Sequence, residues 1–199
     1  GPGLALQSIG GGGGVAYADR ASVRMGSKAI GNTSSGAVSL VSKFNSTIQT
    51  RGLSSPAVIA QSIGGGGGYV GGDGDGVAPV VRLGSVFRQL GSSAAVDINL
   101  SRGTRLVARA DNAQGLIAQS IGGGGGFTSQ SALSMRLGME GGLGNAGDVS
   151  VENQGTIVTL GDRAAGVIAQ SIGAGGGTAA SAQGSLFLGA DNAQGDAGD

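Results

Sequence analysis

The sequence predicts an all-β solenoid, a parallel β-helix with glycine-rich segments between its coils, and three observations lead there. The tetrapeptide Gln-Ser-Ile-Gly occurs four times, beginning at Gln7, Gln61, Gln119 and Gln170, at intervals of 54, 58 and 51 residues. Each copy runs into glycines: Gly10 to Gly14, Gly64 to Gly68, Gly122 to Gly126, and Gly173-Ala174-Gly175-Gly176-Gly177. Between the copies lie short stretches of alternating character, the two-residue period of a strand, separated by turn formers. Self-similarity at such a period marks an array in which each unit buries its apolar face against its neighbours and is not stable alone. A helical reading fails because glycine costs about 1 kcal/mol relative to alanine inside a helix, and 45 of the 199 residues are glycine.

The elements follow in order along one repeat. An alternating segment comes first: Val38-Ser39-Leu40, Val96-Asp97-Ile98 and Val149-Ser150-Val151. A second is marked by an apolar residue thirteen before the glutamine, namely Ile48, Leu106 and Ile157. The third carries the tetrapeptide itself, as in Val58 to Ile63, with Ile9, Ile63, Ile121 and Ile172 as its last apolar position. After the glycines, including Gly64, Gly66, Gly122 and Gly124, a fourth segment recurs around Val23-Arg24-Met25, Val81-Arg82-Leu83, Met135-Arg136-Leu137 and Leu186-Phe187-Leu188. Its second copy sits four residues late, and the polar loop Gly71 to Gly76 is the natural place for that insertion, because exposed turns tolerate length changes. Asn32, Asp111-Asn112, Gly144-Asn145, Gly161-Asp162 and Asn192 supply turns between segments.

One strand shows how the faces divide. Val58, Ala60 and Ser62 lie on one side and Ile59, Gln61 and Ile63 on the other, since side chains alternate. We read the smaller set as interior, because Leu116-Ala118-Ser120 and Val167-Ala169-Ser171 keep it small and decreasing in size. Isoleucines would then face outward in every repeat and call for a cover. The glycine runs are either that cover, extended along the outside because they lack Cβ, or flexible surface loops. The repeat length suits one coil with an excursion, or two coils, and we favour two. In the two-coil arrangement equivalent glutamines stand about 9.6 Å apart, too far for a direct amide ladder; in the one-coil arrangement a ladder forms.

Composition excludes many functions. Histidine and cysteine are absent and aromatic residues make up 3% of the chain, which removes the commonest general base, thiol chemistry and thiolate or imidazole metal sites. Twelve Lys plus Arg balance twelve Asp plus Glu, so no basic footprint for nucleic acid is present. The uncharged stretch from Gly52 to Gly72 is interrupted by Pro56, Gln61 and five glycines, unlike a membrane span. Residues 1–3 read as the scar of a removed tag and 4–199 as a single β-helical segment.

The segment Val149 to Thr159 followed by Gly161 to Gly173, with the Ala-Gln-Ser-Ile-Gly-Gly-Gly-Gly-Gly core of the other copies, resembles the passenger repeats of Gram-negative autotransporter outer-membrane proteins, the type V secretion systems. The resemblance covers Leu4 to Asp199 and implies a right-handed parallel β-helix displayed at the cell surface or secreted, exported through the outer membrane by a C-terminal β-barrel. The sequence would then be a piece of a longer passenger, with neighbouring coils as its first partners. Such passengers include adhesins, aggregation factors, proteases and esterases, so fold alone does not give activity.

Candidate chemistry is sparse. A Ser/Lys pairing would have to draw on Lys28 or Lys43, and both are better read as solvated surface residues. Ser62 and its copies recur in every repeat, as structural positions do. The glycine runs lack the helix and the Gly-Lys-Ser/Thr ending of a phosphate loop. Asp73 and Asp75 offer carboxylates for calcium, yet their register differs from calcium-binding nonapeptides and they occur once. Asp111-Asn112 and Asp191-Asn192 fit turns with left-handed backbone. Tyr69 and Phe127 follow the glycine run and are read as packing rather than as a sugar-stacking platform, a role for which Tyr17, Phe44, Phe87 and Phe187 add too few rings. The expected function is a non-enzymatic rigid stalk with a surface for adhesion or self-association, without cofactor, nucleic acid or membrane span. The alternative is an adhesin module that recognises glycan or host protein through the glycine-rich face or the Gly71 to Gly76 loop.

Overall fold

Four repeats stack as four rungs, shown by a computed structural model that describes residues 1–28, 31–72, 76–86, 90–138, 141–179, 182–189, 192 and 194–199. The first rung carries β1 (Leu4–Ile9), β2 (Gly13–Tyr17), β3 (Val23–Met25), β4 (Val38–Val41) and β5 (Thr47–Thr50). The second carries β6 (Val58–Ile63), β7 (Gly67–Gly71), β8 (Val77–Leu83), β9 (Val96–Leu100) and β10 (Arg105–Ala108). The third carries β11 (Leu116–Ile121), β12 (Gly125–Thr128), β13 (Ser131–Leu137), β14 (Val149–Asn153) and β15 (Thr156–Thr159), and the fourth β16 (Val167–Ile172), β17 (Gly176–Ala179) and β18 (Ala182–Leu188). These eighteen strands form five sheets, all parallel, and no helix occurs among the described residues. The topology is consistent with a parallel β-helix.

Each strand pairs with its counterpart one repeat away. The sheet β1-β6-β11-β16 aligns Gln7, Gln61, Gln119 and Gln170 directly. Val38, Val96 and Val149 share a register position, as do Ile48, Leu106 and Ile157. Val23 pairs with Val81 and Arg24 with Arg82, so the late copy of the fourth segment is brought into line by the longer loop before it. One repeat therefore makes one rung. The two-coil expectation is wrong, because a second coil would separate successive glutamines by two strand spacings, and they occupy adjacent strands.

In cross-section the rung is layered. Val58, Ala60, Leu116 and Ala118 close a first compartment with Val38, Val96, Ile98, Leu100 and Leu106 from the strands opposite. Ile59 and Ile117, on the far face of the same strands, pack against Tyr69 and Phe127 of β7 and β12. Beyond those, Val70 meets Val81, Leu83, Met135 and Leu137 of the outermost sheet. Strands β6 and β11 are thus buried on both faces, which explains their continuous run of small and aliphatic residues. Burial of each aliphatic side chain contributes roughly 1.5–3 kcal/mol. Thin compartments suit this composition, since one layer of Val, Ala, Ile or Leu fills each of them.

The smaller set is indeed interior to the first compartment. The isoleucine set faces out of it and is covered, as the glycine-cover alternative requires: Gly64 to Gly72 are buried, and a Cβ built on Gly176 would lie 3.5 Å from the Ile172 methyl carbon. The flexible-loop alternative is overturned, because the last two glycines of each run open a hydrogen-bonded parallel strand in every rung.

Candidate functional site

Three columns run along the stacking axis through the repeat positions singled out above. The first is an amide ladder. Gln7 Nε2 donates to Gln61 Oε1 at 2.6 Å, Gln61 Nε2 to Gln119 Oε1 at 2.7 Å, and Gln119 Nε2 to Gln170 Oε1 at 2.7 Å. Thr178 Oγ1 also donates to Gln170 Oε1, at 2.8 Å. Gln61 and Gln119 are fully buried. A buried amide is tolerated only when its donors and acceptors are met, and the one-rung repeat places the next glutamine within reach.

The second column is serine. Ser62 Oγ donates to Gly36 O at 2.9 Å and accepts from Ala94 N at 3.0 Å, tying one rung to the segment leading into β4 and the next to that leading into β9. Ser120 repeats this with Ala94 O and Gly147 N, and Ser171 with Gly147 O and Gly198 N. These hydroxyls are structural rivets. Lys28 and Lys43 are exposed, whereas Ser62 and Ser120 of this column are buried.

The third column is glycine, and its chemistry is the absence of Cβ. In β7 the backbone turns to φ near +135° at Gly67 and Gly68, a region that is essentially glycine's alone. A Cβ on Gly67 would point along the axis into Gly125 O of the next rung, and one on Gly68 into Gly14 O of the previous rung, both inside any permissible contact. The same pattern holds for Gly125 against Gly176 and Gly126 against Gly68. Successive residues thus point up and down the stack rather than to the faces, and only hydrogen fits. Gly64 and Gly122 meet the backbone at Gly91 and Gly144, and Gly66 and Gly124 take φ of +86° and +83° in the turn before the strand.

Just past the glycines an aromatic stack continues the column. The Tyr69 and Phe127 rings lie parallel, 5.6 Å between centroids, and Tyr17 lies 6.0 Å from Tyr69, tilted by 50°. Register places Val15, not Tyr17, beside Tyr69, and Tyr17 instead swings into the space beside Gly71. Tyr69 Oη donates to Ser54 O at 2.6 Å and Tyr17 Oη to the same carbonyl at 2.9 Å. Burial raises the pKa of both phenols above the usual tyrosine range, with the neighbouring Tyr17 adding to the effect at Tyr69. Tyr69 and Phe127 have at most 2% of their surface exposed, so they pack and do not offer rings to a ligand.

The remaining positions separate cleanly. Asn112 and Asn192 adopt φ of +54°, the left-handed turn conformation expected of them. Asp73, Asp75, Phe87 and Asp191 lie outside the described residues. The fourth copy carries Ala174 where Gly123 stands in the third, at φ +64°. Sequence reasoning overlooked a shallow axial groove of about 490 Å³ beside the parallel bridges Asn32–Leu90–Leu143–Gln194, since leucine recurs at only two of the four positions and carboxamides stand at the other two. No family model, no curated protein and no solved structure matches this chain.

Proposed function

We propose that this chain is a segment of a right-handed parallel β-helix on the bacterial cell surface or released from it, exported through the outer membrane in the manner of an autotransporter passenger. It serves there as a non-enzymatic stiff spacer whose sides offer a surface for adhesion or self-association. The observation that carries the mechanical part is the pairing of every strand with its counterparts in adjacent repeats alone, so that backbone hydrogen bonds and the glutamine ladder run along one axis. Bending or shearing such a stack must break bonds within a rung interface, which gives stiffness. Right-handed winding agrees with the strong preference of parallel crossover connections for that hand. Surface display rests on the resemblance of the Ala-Gln-Ser-Ile-Gly repeats to passenger repeats.

Antibodies raised against this chain and applied to the bacteria that make it test the proposal. Labelling of intact cells is expected; labelling only after permeabilisation would overturn surface display.

A further inference from the structure

We propose that the axial groove binds a linear, uncharged oligosaccharide lying along the stack, a site distinct from the glycine-rich face, which is buried. Each rung contributes to the groove at equivalent positions: Asn32, Leu90, Leu143 and Gln194 in one column, and Ser34, Ser92, Asn145 and Asp196 two residues on. Four rungs about 4.8 Å apart make a trough roughly 14 Å long, open along the stack to an extended chain.

The wall is preformed. Thr33 N donates to Leu90 O, Ser35 N to Ser92 O, Ser93 N to Asn145 O and Ala146 N to Asp196 O, all between 2.8 and 3.0 Å. The polar side chains are held with their oxygens turned to this wall. Asn32 Oδ1 accepts from the Ser34 backbone N–H and hydroxyl at 3.3 and 2.7 Å, Asn145 Oδ1 from Asp196 N at 3.1 Å, and Ser92 Oγ from Asn145 N at 3.3 Å. That leaves the Asn32 and Asn145 Nδ2 groups and the Ser92 hydroxyl proton without a protein acceptor among the described residues. Fixed amide donors in a preformed trough suit ligand oxygens, because little ordering is left to do on binding. Leu90, 56% exposed, and Leu143 supply apolar patches for the C–H faces of pyranose rings, with no aromatic needed.

The charge and backbone of the groove narrow the ligand class. Among the described residues its lining holds no Lys or Arg, and the charged residue there is Asp196, so no cation in that lining neutralises a polyanion. The wall's backbone N–H and C=O groups are engaged between rungs, so a peptide cannot dock by strand addition. Neutral hydroxyls, which both donate and accept, match the Asn donors and the Asp196 acceptor together.

Isothermal titration of the full chain with cellohexaose, maltohexaose and chitohexaose, and with a heparin hexasaccharide beside them, tests the assignment. Saturable binding of at least one neutral hexaose is expected, weakened more than fivefold by Asn145→Ala and abolished by Ser92→Tyr, which fills the trough. Circular dichroism establishes that each variant folds, and Asn32→Ala, at another exposed side chain, replaces Ser92→Tyr if that variant does not. Absence of binding by all three neutral sugars, preference for heparin, or affinity unchanged by both variants would overturn the proposal. None of these outcomes touches cell-surface labelling, so this site and the proposed function fail independently.

Discussion

Alanine at Gly68 and alanine at Gly14 should have very different effects, although the two glycines occupy the same register position in neighbouring rungs. Both have φ close to +140°, where an L side chain costs on the order of 1–3 kcal/mol. Gly14 sits in the outer rung, and a Cβ there meets nothing within 4 Å. The Gly14→Ala variant therefore reports the conformational cost alone, about 2 kcal/mol, or a fall in Tm of roughly 4–8 °C for a chain of this length. At Gly68 the added Cβ overlaps Gly14 O, and the rungs must part. Hydrogen bonds such as Gly67 N to Gly12 O, at 3.1 Å, then lengthen or break. Each bond lost costs about 1 kcal/mol, and each buried group left unmet about 1–3 kcal/mol. Two such losses bring the total to at least about 5 kcal/mol and the fall in Tm to roughly 10–20 °C. Thermal unfolding followed by far-ultraviolet circular dichroism measures both variants. Equal Tm values would refute the claim that rung contact, rather than backbone freedom, fixes these residues as glycine.

Three further expectations follow from the other columns. Gln119→Leu leaves the Gln61 Nε2 donor buried without its acceptor and should cost about 2–4 kcal/mol in denaturant unfolding; leucine at all four ladder positions together should cost less than four times that, since no partner is then left unmet. Ala174→Gly removes a left-handed alanine and should stabilise by about 1 kcal/mol, whereas Gly123→Ala, whose Cβ would lie 2.7 Å from the Ala174 carbonyl carbon, should destabilise. Burial holds the Tyr69 phenol protonated beyond the pH at which an unfolded tyrosine ionises near 10. Its contribution is complete below pH 10 and is lost as pH rises above it, because the unfolded chain then releases a proton that the folded chain retains. Tm measured from pH 9 to 11.5 should fall more steeply for the unsubstituted chain than for Tyr69→Phe.

Periodicity was written in the residues themselves. The recurrence of Gln-Ser-Ile-Gly and the alternation in Val96-Asp97-Ile98 and its copies determined the strands, their register and the interior set Val58, Ala60 and Ser62, because a strand's side chains must alternate and equivalent strands bury equivalent faces. How many rungs one repeat makes was decided by the tertiary structure, since strand alternation is the same whether a repeat closes once or twice. The glycine strand settles it by crossing the isoleucine face of its own rung: Gly67 and Gly68, with no Cβ between them and the rungs on either side, let that layer stack at the ordinary strand spacing. Only then do Gln61 and Gln119 meet. The groove, likewise, exists only through stacking, because the leucines at 90 and 143 and the carboxamides at 32 and 194 form no pattern across all four repeats and are joined by isolated backbone bridges.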